Sequence, residues 1–271
     1  MRTKNFSLLT LVLPAFLSGQ TRLVQAAMVN LQAVADTTLF QNSPDNNLGG
    51  STNFITGTLA SGFNNRALIE FSPSVSIPAN AVITSVTLTL NVTAANGPNS
   101  TFDLHPMLVS WGEGNKTGPT GAPASAGEAT WNARFNSSTL WSTPGGAAGA
   151  DYSATSSDSA FISGLGSYTF GSTPGLVEDV QNWLDHPSGD FGWMLLSQSE
   201  GTMSTARRFA SREDTLGRGP LLSIDYSVVP EPSTLALFGL GIGAFAWAHR
   251  RRRISNQPES SRTSSQSTLP Q

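Results

Sequence analysis

Apolar and polar positions alternate along most of this chain, and the alternation is sharpest over residues 82–92. There Val82, Val86, Leu88, Leu90 and Val92 stand against Ile83, Thr87, Thr89 and Asn91, with Thr84 interrupting. A period of two sends successive side chains to opposite faces, so the segment predicts a strand with one buried face. Pro78, Ala79 and Asn80 supply the turn before it. In 66–71, Ala67, Ile69 and Phe71 share one face and Arg66, Leu68 and Glu70 the other. Further strands are predicted at 33–40, 53–59, 102–109, 192–198, 206–211 and 221–227, separated by clusters of Gly, Asn, Pro and Ser. The period changes once. Leu176, Val177, Val180, Trp183 and Leu184 share a face at helical spacing, with Thr173 to cap and Pro174 to start the helix. Glu178 and Asp179 suit its N-terminal end, and His186-Pro187 stops it. Residues 112–160 are weakly patterned, with short strands expected near 129–131 and, just beyond, at 166–170. So long a loop in a compact domain is functional or disordered. About nine or ten strands and one short helix predict an all-β, two-sheet jelly-roll sandwich.

Neither end of the chain belongs to that sandwich. Arg2 and Lys4 precede an apolar stretch at 6–17, and a polar region ends in Val24-Gln25-Ala26-Ala27. This is a secretory signal peptide, residues 1–27, cut after Ala26 or Ala27. At the other end come Pro230, Glu231 and Pro232, an uncharged apolar run at 235–248, and the cluster Arg250 to Arg253. The prolines keep the first part extended and accessible. The apolar run is shorter than the roughly 20 residues that span a bilayer comfortably. The arginines hold its far side in the cytoplasm and the body outside. A core helix is disfavoured, because arginines abutting it would bury unpaired charge.

This three-part tail, residues 230–253, resembles a PEP-CTERM sorting signal. Pro230, Glu231 and Pro232 match the signature tripeptide, with Ser233 and Thr234 following. The resemblance implies an exosortase as partner, processing near the tripeptide, and a transmembrane sorting helix that anchors the precursor in the inner membrane of a Gram-negative producer. Its destination is then the cell surface or exopolysaccharide matrix. Such signals end just after the basic cluster, whereas this chain continues through a Ser/Thr-rich tail, 254–271, that reads as disordered.

Charge and composition narrow the partners of the body, residues 28–229. It holds 16 Asp and Glu against 7 Lys and Arg, a net charge of −9, and the chain has no cysteine. Disulfides, thiolate metal sites and cysteine nucleophiles are excluded. An acidic body argues against nucleic acid and leaves neutral glycans or divalent cations as the more natural ligands. The four sequons at Asn91, Asn99, Asn115 and Asn136 reflect Asn, Ser and Thr richness.

The order of segments in the body is distinctive: RALIEF at 66–71, IPANAVITSVTLTL at 77–90, WGE at 111–113, ATW at 129–131 and WSTPGG at 141–146. LVEDVQNWLDHPSGDFGWML at 176–195, RRFASRED at 207–214 and GPLLSIDYS at 219–227 complete it. It resembles the DNRLRE domain, an extracellular module related to jelly-roll carbohydrate-binding modules. The resemblance implies a β-sandwich that binds glycan, including acidic polysaccharides, or serves in surface adhesion. A Gly/Ala/Pro-rich insert between WGE and ATW departs from the pattern.

Three kinds of side chain are candidates for a site. Trp111, Trp131 and Trp141 lie in or beside the long loop, where rings stack on sugar faces or else plug the sandwich; Trp183 and Trp193 sit in core patterns. Arg208 with Arg212 suits a carboxylated sugar, or ion pairs with Glu213, Glu70 or Asp225, while Arg207 points to the opposite face. Asp36, Asp45, Asn46, Asn47 and Asp225 are oxygen ligands suited to a structural calcium, though Asn and Asp also form turns. Catalytic patterns are weak. His105 and His186 fall in no HExxH, no nucleophile elbow or phosphate loop occurs, and Glu113 and Glu128 sit in a Gly-rich stretch as a nominal glycosidase pair. The expectation is an exported, non-enzymatic protein that binds extracellular polysaccharide, with a purely structural matrix protein as alternative and a polysaccharide-degrading enzyme behind both.

Overall fold

The computed structural model describes residues 25–228, with Gly243 alone beyond them. The apolar leader, the sorting tripeptide, the expected sorting helix and the tail lie outside the described residues. The first half carries β1 (Gln25–Gln32), β2 (Ala35–Phe40), β3 (Asn46–Asn47), β4 (Asn53–Thr58), β5 (Asn64–Glu70), β6 (Ala81–Ala95) and β7 (Ser100–Pro106). There follow β8 (Ala122–Pro123), β9 (Ala133–Phe135), β10 (Thr139–Leu140), β11 (Asp158–Ile162), β12 (Gly166–Phe170), helix α1 (Pro174–Asp185), β13 (Trp193–Ser197), β14 (Arg207–Ala210) and β15 (Leu221–Val228).

All ladders between the main strands are antiparallel and build two layers. One runs β1-β15-β6-β14-β4, with β12 on the other edge of β6; the second runs β2-β5-β13-β7-β11. β4 joins them. Its residues 53–56 pair with β14, while Gly57 and Thr58 pair with β5. Gly57 makes the corner at φ 101°, where an added Cβ would lie 2.9 Å from the Ala206 Cα. Only glycine takes that turn at that approach.

The main core fills the space between the layers. Phe54, Ala67, Ile69, Val86, Leu88, Phe102, Leu195, Phe209 and Leu222 meet there, joined by Leu176, Val180, Trp183 and Leu184 of α1. The helix starts as its sequence predicts, with the Thr173 Oγ1 accepting from the Leu176 N–H at 3.2 Å. Trp183 and Trp193 pack edge to face with centroids 4.4 Å apart.

The phase of β6 corrects one reading of the alternation. Asp225 stands opposite Ser85 but Tyr226 opposite Ile83, so Thr84 is an extra residue, a bulge. Ala81 and Ile83 therefore join Val86, Leu88, Leu90 and Val92 inside, and Val82 is 53% exposed. A one-residue slip exchanges the faces of everything before it.

The stretch expected to be a loop forms a second core. Leu39, Leu68, Met194 and Leu196 point away from the first core, on the outer face of the second layer. Met107, Trp111, Ala129, Trp131, Trp141 and Tyr152 fold back over them. No strand forms at 129–131; the pairing lies at β9 and β10 instead, whereas 166–170 is β12 as expected. Ala35 to Phe40 is a strand, but the chain before it is a separate one, β1, at the edge of the first layer.

Candidate functional site

Trp111, Trp131 and Trp141 are brought together, but as core. They are 7%, 7% and 4% exposed. The Trp111 Nε1–H donates to the Phe191 carbonyl at 2.9 Å, and that of Trp141 to the Thr130 carbonyl at 2.8 Å. The outer side of Trp131 is taken by the Arg66 guanidinium, 5.5 Å from the ring centroid, which also pairs with Glu200 at 2.8 Å. With their faces covered, these rings offer no stacking surface, and they hold the 107–152 stretch to the sheet. The sequence left stacking and plugging both open, because the stretch has no period, and periodicity cannot register a side chain anchored from an irregular segment.

Arg212 is likewise committed. Its guanidinium grips Glu113 through two contacts, at 2.5 and 2.9 Å, and meets Glu213 at 2.9 Å. Its backbone N–H donates to the Asp36 Oδ2 at 2.7 Å, and the Asp36 N–H donates to the Glu113 Oε1 at 2.9 Å. Asp36 is buried on β2, and burial pushes its carboxyl up to about 8 against the pull of the Arg212 N–H, with Glu213 and Glu113 adding to the rise. Burial also raises Glu70 to about 7, helped by Glu113, and Asp190 to about 7, helped by Glu70. The guanidinium thus serves two carboxylates, Glu113 and Glu213, while Asp36 is held by the Arg212 backbone.

The oxygen ligands named for calcium do not converge. Asp225 pairs with Met28 and Ser85 in the first layer, whereas Asp36 faces Ile69 in the second. Asp45 accepts from the Asn132 amide at 2.9 Å. The Asn47 amide is consumed by Thr37, Glu113 and Ala129 on its nitrogen and by Gly49 and Lys116 on its oxygen. Among the described residues no group of three or more His, Asp or Glu is placed to hold a metal ion. Glu128 is buried, accepting from the Ser125 N–H at 2.7 Å and 3.5 Å from the Lys116 Nζ. Both carboxylates of the nominal glycosidase pair are therefore held by cations.

The remaining candidate, Arg208, lies on a cleft that the sequence did not disclose. The cleft, of about 410 Å³, opens where β4 and β14 meet the turn after β4, and Pro119 and Thr120 of the long stretch close one side. Phe40, Ile55 and Ala206 give it apolar walls; Asn65, Asn96 and Ser204 add polar groups; Arg207 and Arg208 supply charge. Three features set it apart. Asn65 is fully buried, yet neither its amide nitrogen nor its oxygen has a hydrogen-bond partner. Arg207 is 1% exposed, gives its terminal nitrogens to the carbonyls of Pro98, Thr205 and Ala206, and leaves its Nε unpaired. Burial lowers its pKa, and no carboxylate stands beside it in any described ion pair. Arg208 is exposed and also makes no described ion pair. Ser204, at φ 65°, holds a backbone conformation that costs on the order of 1 kcal/mol for a residue with a side chain. Buried polar groups are ordinarily satisfied and buried charge ordinarily paired, so a cleft lined by exceptions is the candidate site for a polar ligand.

At the chain ends, Ala26 and Ala27, where cleavage is expected, lie on β1, opposite Ser227 and Tyr226 of β15. Pro230, Glu231 and Pro232 lie outside the described residues, and among those described no helix is long and apolar enough to cross a membrane. No curated protein matches the chain. A family model described as the PEP-CTERM protein-sorting motif matches residues 228–253. The chain is thereby an exported surface protein, made as a membrane-anchored precursor and sorted by an exosortase.

Proposed function

We propose that the sandwich binds extracellular polysaccharide at the cleft beside Arg208, and that it acts by binding rather than by chemistry. The observation that carries this reading is the conjunction of an unpaired guanidinium at the rim with unpartnered amide and guanidinium nitrogens behind it. An amide presents one donor group and one acceptor, which is the pairing that sugar hydroxyls reciprocate. Arg208 favours a sugar carrying a carboxylate or sulfate, since either would neutralise a rim charge that no described carboxylate pairs. The DNRLRE-like order of segments supports the same class of ligand. A structural calcium is part of this reading only as an arm of the test.

The test is retention of the mature protein on a panel of polysaccharides, including the producer's own matrix, with and without calcium. Retention on one polymer, eluted by its own oligosaccharides, is expected. Arg208→Ala should weaken it by about 1.5–3 kcal/mol, roughly 10- to 150-fold, the worth of a hydrogen bond to a charged group. Retention on no polymer would overturn the reading. The burial of all three tryptophans favours, in that case, a structural matrix protein in which the sandwich is a spacer.

A further inference from the structure

The register of β1 against β15 links the two ends of the chain. Gln25, Ala26 and Ala27 stand opposite Val228, Ser227 and Tyr226. On its other side β15 sets the same three residues against Ala81, Val82 and Ile83 of β6. The matched sorting motif begins at Val228, so the last ladder positions of β15 run directly into it. β1 is the end strand of its layer. Among the described residues, 25–27 alone therefore cover that side of 226–228.

Removal of the leader is a hydrolysis: water adds across the peptide bond after Ala26 or Ala27, a carboxylate leaves with the leader and an amine stays on the body. Either cut takes Gln25 and Ala26 away, and the later one takes Ala27 too. Val228 and Ser227 then lose their β1 partners and keep those on β6. The rest of β1 stays seated, because Val29 and Leu31 pack on the main core while Gln25 and Ala26 are exposed. Enzymes that act on extended segments commonly add a strand to them, which needs a free backbone edge.

We propose that N-terminal cleavage licenses C-terminal sorting: it turns the last residues of β15, which lead into the matched motif, into a free strand edge for the sorting enzyme, and chains that keep their leader are withheld from sorting. The inference rests on the expected cut after Ala26 or Ala27 and on the matched motif, not on the polysaccharide reading.

Two full-length variants, followed by pulse-chase in cells that carry the sorting enzyme, test it. Ala26→Leu with Ala27→Leu blocks the cut and keeps the strand. Ala26→Pro with Ala27→Pro also blocks it but removes both backbone donors, one of which faces β15. Sorting of the leucine variant should be roughly tenfold slower than that of the natural chain, the weight of about two ladder hydrogen bonds. The proline variant should be sorted within about twofold of the natural rate although its leader remains, because its β15 edge is already free. Equal rates for the two variants, both slow or both fast, would overturn the proposal. Amide exchange gives a second reading on purified chains. Of Ser227 and Val228, the one whose N–H faces β1 should exchange faster in the cut natural chain than in the leucine variant, while the other keeps its β6 partner; equal protection of both residues in the two chains would also overturn it.

Discussion

Replacing Asp36 by Asn is expected to remove a large part of the dependence of stability on pH. Asp36 is 1% exposed, and its carboxyl is pushed by burial from 3.8 up to about 8. The unfolded chain therefore loses this proton near pH 4 while the folded chain keeps it until about pH 8. Across that window the folded state binds the extra proton, so stability falls as pH rises, and it levels off above the folded value. One group contributes a slope of about 1.4 kcal/mol per pH unit, or about 2.7 kcal/mol between pH 5 and pH 7. Asn has the same shape, and its oxygen can still accept the Arg212 N–H now held at 2.7 Å. Its amide adds a pH-independent offset and no slope. Glu70, Glu113, Asp190, Arg212 and Glu213 remain in the variant, so subtracting the two curves leaves chiefly the Asp36 contribution. Urea unfolding of both proteins at pH 5, 6, 7 and 8 gives that difference. The stability of the variant relative to the natural protein should climb with pH and flatten near pH 8. Parallel curves would refute the argument, showing either that solvent reaches the carboxyl or that a nearby cation holds it ionised.

Two further substitutions separate the second core from the cleft. Trp131→Ala should cost about 3–5 kcal/mol of unfolding free energy and speed proteolysis within 107–152, because it empties the contact under Arg66. A surface stacking residue would cost under about 0.5 kcal/mol. Asn65→Ala should change the stability of the free protein by no more than about 1 kcal/mol, since neither amide atom has a partner to lose. It should nonetheless weaken polysaccharide retention; a loss of several kcal/mol of stability would mean that a buried water already satisfies the amide.

Much of this protein was determined by its sequence alone. The alternation in β5, β6 and β15 marks strands because a half-buried strand must alternate, whatever packs on it. Thr173, Pro174 and the apolar face of α1 specify a helix from interactions within a few residues. The sorting segment depends on local composition, and its motif was legible for that reason. What only the tertiary structure decided involves partners distant in the chain. The bulge at Thr84 arises from the register of β6 with β15, and it moved Val82 outside and Ile83 in. Leu68 read as one member of a mixed face, yet the 107–152 stretch buries it, because a sheet face is exposed only if nothing folds over it. Arg207, Arg208 and Arg212 lie within six positions and have three fates. One is buried among carbonyls, one stands free at a cleft, and one is gripped by Glu113, 99 residues away. Alternation distinguishes the faces of Arg207 and Arg208, but ion pairing and clefts depend on which distant segments arrive beside a residue, and no local period records that.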